Sequence, residues 1–255
     1  MSKRSFIVWG THSVSALLKF NPHQLLEIWL REPIEQSGPL NALRQLCESA
    51  DIRFNAADKK QLDKLTGGAN HQGAVARRRS PIRSDLENLV DGILETQPNP
   101  LFLALDQVQD PQNFGSCLRL ADAAGVSGVI IPGTSQAPIS GVVAKVASGA
   151  LDSVPIVQIN NLGNGLRLLK KKGVWVVGTD DAANEIYTDT DLSGATCLVL
   201  GSEGEGLRQR TRETCDFVVS IPMTGEVGSL NVANAAAVCL FEARRQRQLK
   251  PLEPG

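Results

Sequence analysis

LFLALDQVQDPQNFGSCLRLADAAGVSGVIIPG, residues 101–133, decides the fold. LFLALDQV (101–108) and GVIIPG (128–133) are short, almost unbroken apolar runs. A strand reads that way when both of its faces are buried. Between them NFGSCLRLADAAG (113–125) spaces its apolar residues as a helix does and ends in glycine. Strand, helix, strand of this kind is the unit of a parallel sheet. The alternation continues downstream. VPIVQI (154–159), GVWVVGTD (173–180), CLVLGSE (197–203) and DFVVSIPM (216–223) read as strands. SGVVAKVASGA (140–150), NLGNGLRLLKKKG (161–173), GLRQRTRETC (206–215) and SLNVANAAAVCLFEARRQRQ (229–248) read as helices. Residues 101–248 are therefore expected to form an α/β domain, a parallel sheet with helices on both faces, followed by a tail at 249–255. Ligands of such sheets sit at the carboxyl ends of the strands.

Upstream the elements are shorter. FIVWG (6–10), LLEIWL (25–30), DIRFN (51–55) and HQGAVARRR (71–79) read as strands. THSVSALLKF (11–20), PLNALRQLCESA (39–50) and ADKKQLDKLTGG (57–68) read as helices, the first with Thr11 or Ser13 as its cap and the last stopped by its glycine pair. Residues 1–79 are thus a small α/β domain. SPIRSDLENLVDGILETQPNP (80–100), bounded by prolines, reads as a connector with one helical stretch.

The net charge of −1 hides an asymmetry. Residues 1–80 carry 12 Lys and Arg against 7 Asp and Glu, a balance of +5, and the remainder carries 14 against 20, a balance of −6. The basic N-terminal part can offer phosphate contacts. Five cysteines, Cys47, Cys117, Cys197, Cys215 and Cys239, are odd in number and form no CxxC pair, so neither a disulfide framework nor a structural zinc site is expected. His12, His23 and His71 all precede residue 80, which leaves the large domain without a histidine triad or histidine metal site. The apolar run after MSKR is too short for a signal peptide, and nothing approaches the ~18 apolar residues of a membrane span, so a cytoplasmic protein is expected.

Four strand-end loops carry polar residues that suit a site. In DQVQDPQNFGSCLRLADAAG (106–125), Asn113 can cap the helix and Arg119, almost two turns on, is read near the same face. Gly201, Gly204 and Gly206 in VLGSEGEGLRQRTRE (199–213) allow backbone to approach a ligand, while Glu203 disfavours a phosphate and suits a cation or a hydroxyl. The spacing is neither a P-loop nor a dinucleotide fingerprint. SIPMTGEVGSLNVANAAAV (220–238) places Ile221 and Met223 at an apolar strand end, able to face an adenine ring, before Ser229, Leu230 and Asn231. GTDDAAN (178–184), with Thr179, reads equally well as a turn.

At these residues the chain resembles the SpoU/TrmH family of RNA ribose 2′-O-methyltransferases, part of the SPOUT superfamily. DPxNxGxxxR, GSEGEG and IPMxGxVxSLNVA occur here in the family's order and spacing, and the likeness covers essentially the whole chain. HQGAVARR (71–78), DxVxDPxNxG and CLFEARRQR (239–247) resemble the subgroup acting on a guanosine in the peptidyl-transferase region of 23S ribosomal RNA. Connection rules alone lead to an unknotted sheet. The resemblance implies instead a deep C-terminal trefoil knot, an L30e-like RNA-binding N-terminal domain and a homodimer without metal. It implies S-adenosyl-L-methionine as cofactor, held by Thr179, Gly201, Ile221, Met223, Ser229 and Leu230. Asn113, Arg119, Glu203, Ser229 and Asn231 are the implied catalytic set, with Arg119 orienting the ribose hydroxyl and its neighbouring phosphate. Arginine's pKa above ~12 makes it an awkward base. Two positions depart from the family: Ala233, where many members carry serine, and Gly228, where a polar or charged residue is frequent. A lost hydroxyl there weakens a hydrogen bond by ~1 kcal/mol. The alternatives are a transfer-RNA methyltransferase of the same family and a non-catalytic ribosome-assembly factor.

Overall fold

The computed structural model describes residues 5–202 and 206–249, and the chain divides into two compact units, 1–81 with 138–153, and 82–137 with 154–255. In the first unit β1 (Ser5–Trp9), α1 (Thr11–Phe20), β2 (Leu25–Arg31), α2 (Pro39–Ser49), β3 (Asn55–Ala57), α3 (Lys59–Thr66) and β4 (Ala74–Arg79) follow one another. The sheet order is β1-β4-β2-β3, with β4 antiparallel to both neighbours and β3 parallel to β2. Neither Thr11 nor Ser13 caps α1. Gly10 occupies the cap position at φ 94°, the Thr11 N–H donates to Gln72 Oε1 (3.3 Å), and the buried Ser13 hydroxyl donates to the Ala144 carbonyl (3.0 Å). The strand expected at 51–55 begins only at Asn55, because Asp51 turns at φ 52°.

The basic strand end is not free to bind phosphate as a whole. Arg78 is fully buried and fully paired, donating to Asp152 Oδ2 (2.6 Å), Gln24 Oε1 (2.7 Å) and the Arg79 carbonyl (3.1 Å). Its partner Asp152 belongs to the segment 138–153, which the sequence pattern assigned to the large domain. Gly141 in that segment lies against Trp9 and Ile7, where a Cβ would come within 1.9 Å of the indole. This tight contact and the buried ion pair tie 138–153 into the first unit.

The second unit contains α4 (Leu86–Leu94), β5 (Leu101–Leu105), α5 (Pro111–Ala124), β6 (Gly128–Pro132), β7 (Ile156–Ile159), α8 (Leu162–Lys171), β8 (Trp175–Thr179), β9 (Glu185–Ile186), β10 (Thr196–Leu200), α9 (Gln209–Arg212), β11 (Phe217–Ser220) and α10 (Val232–Leu249), while α6 (Gly141–Ala147) and α7 (Ala150–Ser153) are the helices lent to the first unit. The seven strands run parallel in the order β7-β6-β5-β10-β8-β11-β9. Every residue of β5, β6 and β10 is buried, so both faces of the sheet centre are covered. The stretch read as a connector is packed structure from Ile82 on. Leu86, Leu89, Val90 and Ile93 of α4 share one core with Phe102, Ile130, Val157 and Leu166. The helix predicted over 206–215 shrinks to the four residues of α9. Among the described residues no helix is long and apolar enough to cross a membrane, and no three His, Cys, Asp or Glu side chains group as metal ligands.

Candidate active site

The carboxyl ends of β8, β10 and β11 converge on one cleft. Thr179 ends β8, Gly201 follows β10 and Ile221 follows β11, and Met223, Ser229 and Leu230 complete the same lining. All six residues expected to hold the cofactor therefore meet in one place. The Thr179 hydroxyl reaches the Val199 carbonyl (3.4 Å). Gly201 is irreplaceable on geometric grounds: a Cβ there would fall 2.1 Å from the carbonyl carbon of Gly206. The turn closes through two backbone bonds, Ser202 N–H to the Gly206 carbonyl (3.1 Å) and Gly206 N–H to the Ser202 carbonyl (3.0 Å), with Gly206 at φ 66°. Glu203 lies outside the described residues.

These residues fit S-adenosylmethionine by their chemistry. Leu200, Ile221, Met223 and Leu230 present apolar surface to a flat base. Asp180 and Asp181 on the same lining supply the negative charge that a sulfonium and an ammonium need. Nothing in the sequence marks the two aspartates, because GTDDAAN reads as an ordinary turn. Asp180 is also held from behind, accepting from Arg212 Nε (3.0 Å) and the Ala182 N–H (2.9 Å).

A second cleft abuts the first. Gln107, Asp110 and Asn113 line it, together with Ser202 and Val232, which line the cofactor cleft as well. Asn113 is not the cap of α5: Asp110 is, accepting from the Asn113 N–H (2.8 Å). That leaves the Asn113 side chain free of capping duty, and its Oδ1 accepts from Asn231 Nδ2 (2.8 Å). Asn231 caps α10 with its own Oδ1, which accepts from the N–H groups of Ala233 (2.8 Å) and Asn234 (3.2 Å). The two asparagines thus join the start of α5 to the start of α10. Ala233 is buried and its N–H is already satisfied, so the absent serine hydroxyl leaves no backbone donor orphaned.

Arg119 is placed differently. It is exposed on α5, lines neither cleft, and makes no hydrogen bond or ion pair among the described residues. The expectation that it shares a face with Asn113 fails on helix geometry, since six residues rotate the side chain by roughly 240°. Ser229 is exposed on the rim of the cofactor cleft.

The sequence reading left Asp106 without a role. It ends β5 with its side chain fully buried, and its carboxylate accepts from Arg208 Nε (2.9 Å), Arg208 Nη2 and the Thr211 hydroxyl (2.7 Å). Its own N–H donates to the Leu200 carbonyl (2.8 Å). One residue therefore anchors both flanks of the Gly201–Gly206 turn, the far flank through its carboxylate and the near flank through its backbone N–H.

Residues 100–241 match the model of the SpoU rRNA Methylase family, more than half the chain. The chain belongs to the SpoU rRNA methylase family. Residues 7–81 match the model described as RNA 2'-O ribose methyltransferase substrate binding. Among curated relatives, the 23S rRNA (guanosine-2'-O-)-methyltransferase RlmB of Vibrio cholerae is 45% identical over 242 residues, covering 94% of this chain and 97% of that protein. The RlmB of Pseudomonas aeruginosa is 44% identical over 247 residues, 96% of this chain and 98% of that one. Among solved structures, the SpoU methyltransferase AviRb of Streptomyces viridochromogenes in complex with AdoMet superposes with a TM-score of 0.81 at 27% identity, covering 96% of this chain and 92% of that one. As a SpoU methylase the chain matches its relatives along nearly their full length.

Proposed function

We propose that this SpoU methylase transfers a methyl group from S-adenosylmethionine to the ribose 2′-hydroxyl of a guanosine in the peptidyl-transferase region of 23S ribosomal RNA. The observation that carries the reading is the convergence of six expected cofactor residues on a cleft that adjoins the Asn113–Asn231 pair. Relatives named for the guanosine reaction, at 43–45% identity, support the substrate.

When bound, the cofactor supplies an electrophilic methyl on a sulfonium. The rest is positioning. Gly201 and Ile221 offer backbone to the adenine, Leu230 and Met223 its apolar walls, and Thr179 closes the end of β8. Asn113, fixed by Asn231, orients the ribose in the adjoining cleft. Arg119, which lines neither cleft of its own chain, is assigned to a phosphate beside the acceptor that the RNA would bring to it, where it would lower the cost of charge developing on the hydroxyl oxygen. Ser229 adds a hydrogen bond at the rim, and Glu203, outside the described residues, is assigned a hydrogen-bonding role on the motif alone.

We infer further that the second unit ties a deep trefoil knot, which agrees with the late strand β10 lying between β5 and β8 and with α10 returning onto α5. The N-terminal domain is assigned an L30e-like fold that presents structured RNA. The working form is a homodimer in the cytosol; Phe241 on α10, 45% exposed, is a side chain such an interface would cover.

A competition assay tests the substrate. With labelled cofactor, unmodified 23S transcript is expected to take up methyl and a transfer-RNA pool to take up none. Labelling of transfer RNA alone would favour the sister activity, and cofactor binding without transfer to either would favour an assembly factor.

A further inference from the structure

A cleft of about 660 Å³ opens beyond the carboxyl ends of β6 and β7 and shares no lining residue with the cofactor cleft. Three guanidinium groups line it: Arg167 on α8, Arg208 just before α9, and Arg210 on α9. Their charges are compensated unequally. Arg208 is the partner of buried Asp106. Arg167 donates only to the neutral amide oxygen of Asn164, and Arg210 has no hydrogen bond or ion pair to its guanidinium among the described residues. Among the described residues Glu213 is the only carboxylate of the lining, and it accepts from Gln209 Nε2 (2.9 Å). Among the described residues the lining contains no aromatic ring. Base stacking therefore has no platform here, whereas guanidinium forks and neutral amides match phosphodiester oxygens.

β5 separates β6 from β10, so the cleft begins two strand spacings, about 10 Å, from the Gly201 turn along the same carboxyl edge. Asp106 joins the two places through its ion pair with Arg208 and its N–H bond to the Leu200 carbonyl, and it starts the loop to Asn113. An RNA strand whose target ribose sits beside Asn113 runs across this edge. We propose that the Arg167–Arg208–Arg210 cleft binds the phosphodiester backbone flanking the nucleotide to be methylated. The proposal rests on the methyltransferase reading for the identity of its ligand.

The test uses the full chain and a transcript of the peptidyl-transferase region of 23S RNA. Equilibrium binding is measured across a series of KCl concentrations for the wild type, for Arg210→Ala and for the double variant Arg167→Ala/Arg210→Ala. Each lost phosphate contact should lower the slope of log K against log salt by about 0.7. The expected result is a slope lower by about 0.7 for the single and about 1.4 for the double variant, with weaker RNA binding, unchanged S-adenosylmethionine affinity, and most of the slope regained in Arg167→Lys/Arg210→Lys. Arg210 is exposed and its guanidinium has no partner among the described residues, so its single variant keeps the test open if the double one folds poorly. Unchanged slopes overturn the proposal. So does saturable binding of inorganic phosphate that is lost in the variants while RNA affinity stays the same, which would make the cleft a small-anion site. Methyl transfer by the wild type to the same transcript is read in parallel. Transfer with unchanged slopes sinks the cleft alone; RNA binding without transfer sinks the methyltransferase reading, and the slopes still decide the cleft.

Discussion

Replacing Asp106 by alanine removes a fully buried carboxylate that accepts from Arg208 and Thr211 on the far flank of the glycine turn. The Thr211 hydroxyl is buried and would lose a charge-assisted bond, a loss of about 2 kcal/mol. Arg208 is 45% exposed and can turn to water, so its share is smaller, about 1 kcal/mol. The sum, roughly 3 kcal/mol, should lower the melting temperature by about 6–12 °C in a chain of this size. Asp106→Asn keeps an acceptor and should lose about half as much. Because the same carboxylate steadies the turn that carries Gly201, S-adenosylmethionine binding should weaken together with stability. Thermal unfolding followed by circular dichroism and a calorimetric cofactor titration read the two effects. An alanine variant that melts within about 1 °C of wild type and binds the cofactor equally well would refute the anchoring role.

Arg119→Ala should leave cofactor affinity unchanged and reduce methyl transfer by about 100-fold or more, the scale of losing one preorganised donor; turnover within a few-fold of wild type would remove Arg119 from the mechanism. Gly201→Ala should abolish cofactor binding while the rest of the chain stays folded, since its Cβ has no space beside Gly206; a normal titration curve would contradict the tight turn. Burial pushes the Cys215 thiol up from its ordinary 9.0 to about 12, so the folded state holds this proton more tightly than the unfolded state does. Its contribution is complete below pH 9 and declines as pH rises from 9 toward 12. The unfolding free energy from urea melts should therefore fall between pH 8 and pH 10.5 by more for wild type than for Cys215→Ala, the difference being on the order of 2 kcal/mol; equal declines would show that the thiol is not linked to folding.

The central sheet is legible from residues 101–223 because strands buried on both faces read as apolar runs, and β5, β6 and β10 are buried throughout. Their order is not legible, since nothing local to LVL or VVG says that β10 enters between β5 and β8. The allocation of 138–153 escaped for a similar reason. Its helical pattern is genuine, but what claims it is Asp152 meeting Arg78 and Gly141 meeting Trp9, pairs more than 70 residues apart in sequence. The periodic Leu86, Leu89, Val90 and Ile93 could have marked α4 as packed structure rather than connector. At the site, the strand-end motifs mark residues that the fold gathers along one cleft, where parallel sheets place their ligands. Capping chemistry was harder to assign. Asp110, Asn113 and Asn231 are all competent caps, and only the fold shows that the first and third cap helices while the second bridges them.

Methyl transfer is read by incubating the full chain with labelled S-adenosylmethionine and unmodified 23S transcript, then mapping alkali-resistant positions. One 2′-O-methylated guanosine in the peptidyl-transferase region is the predicted result. Methyl groups found on bases, or no transfer by a protein that binds both cofactor and transcript, would contradict it.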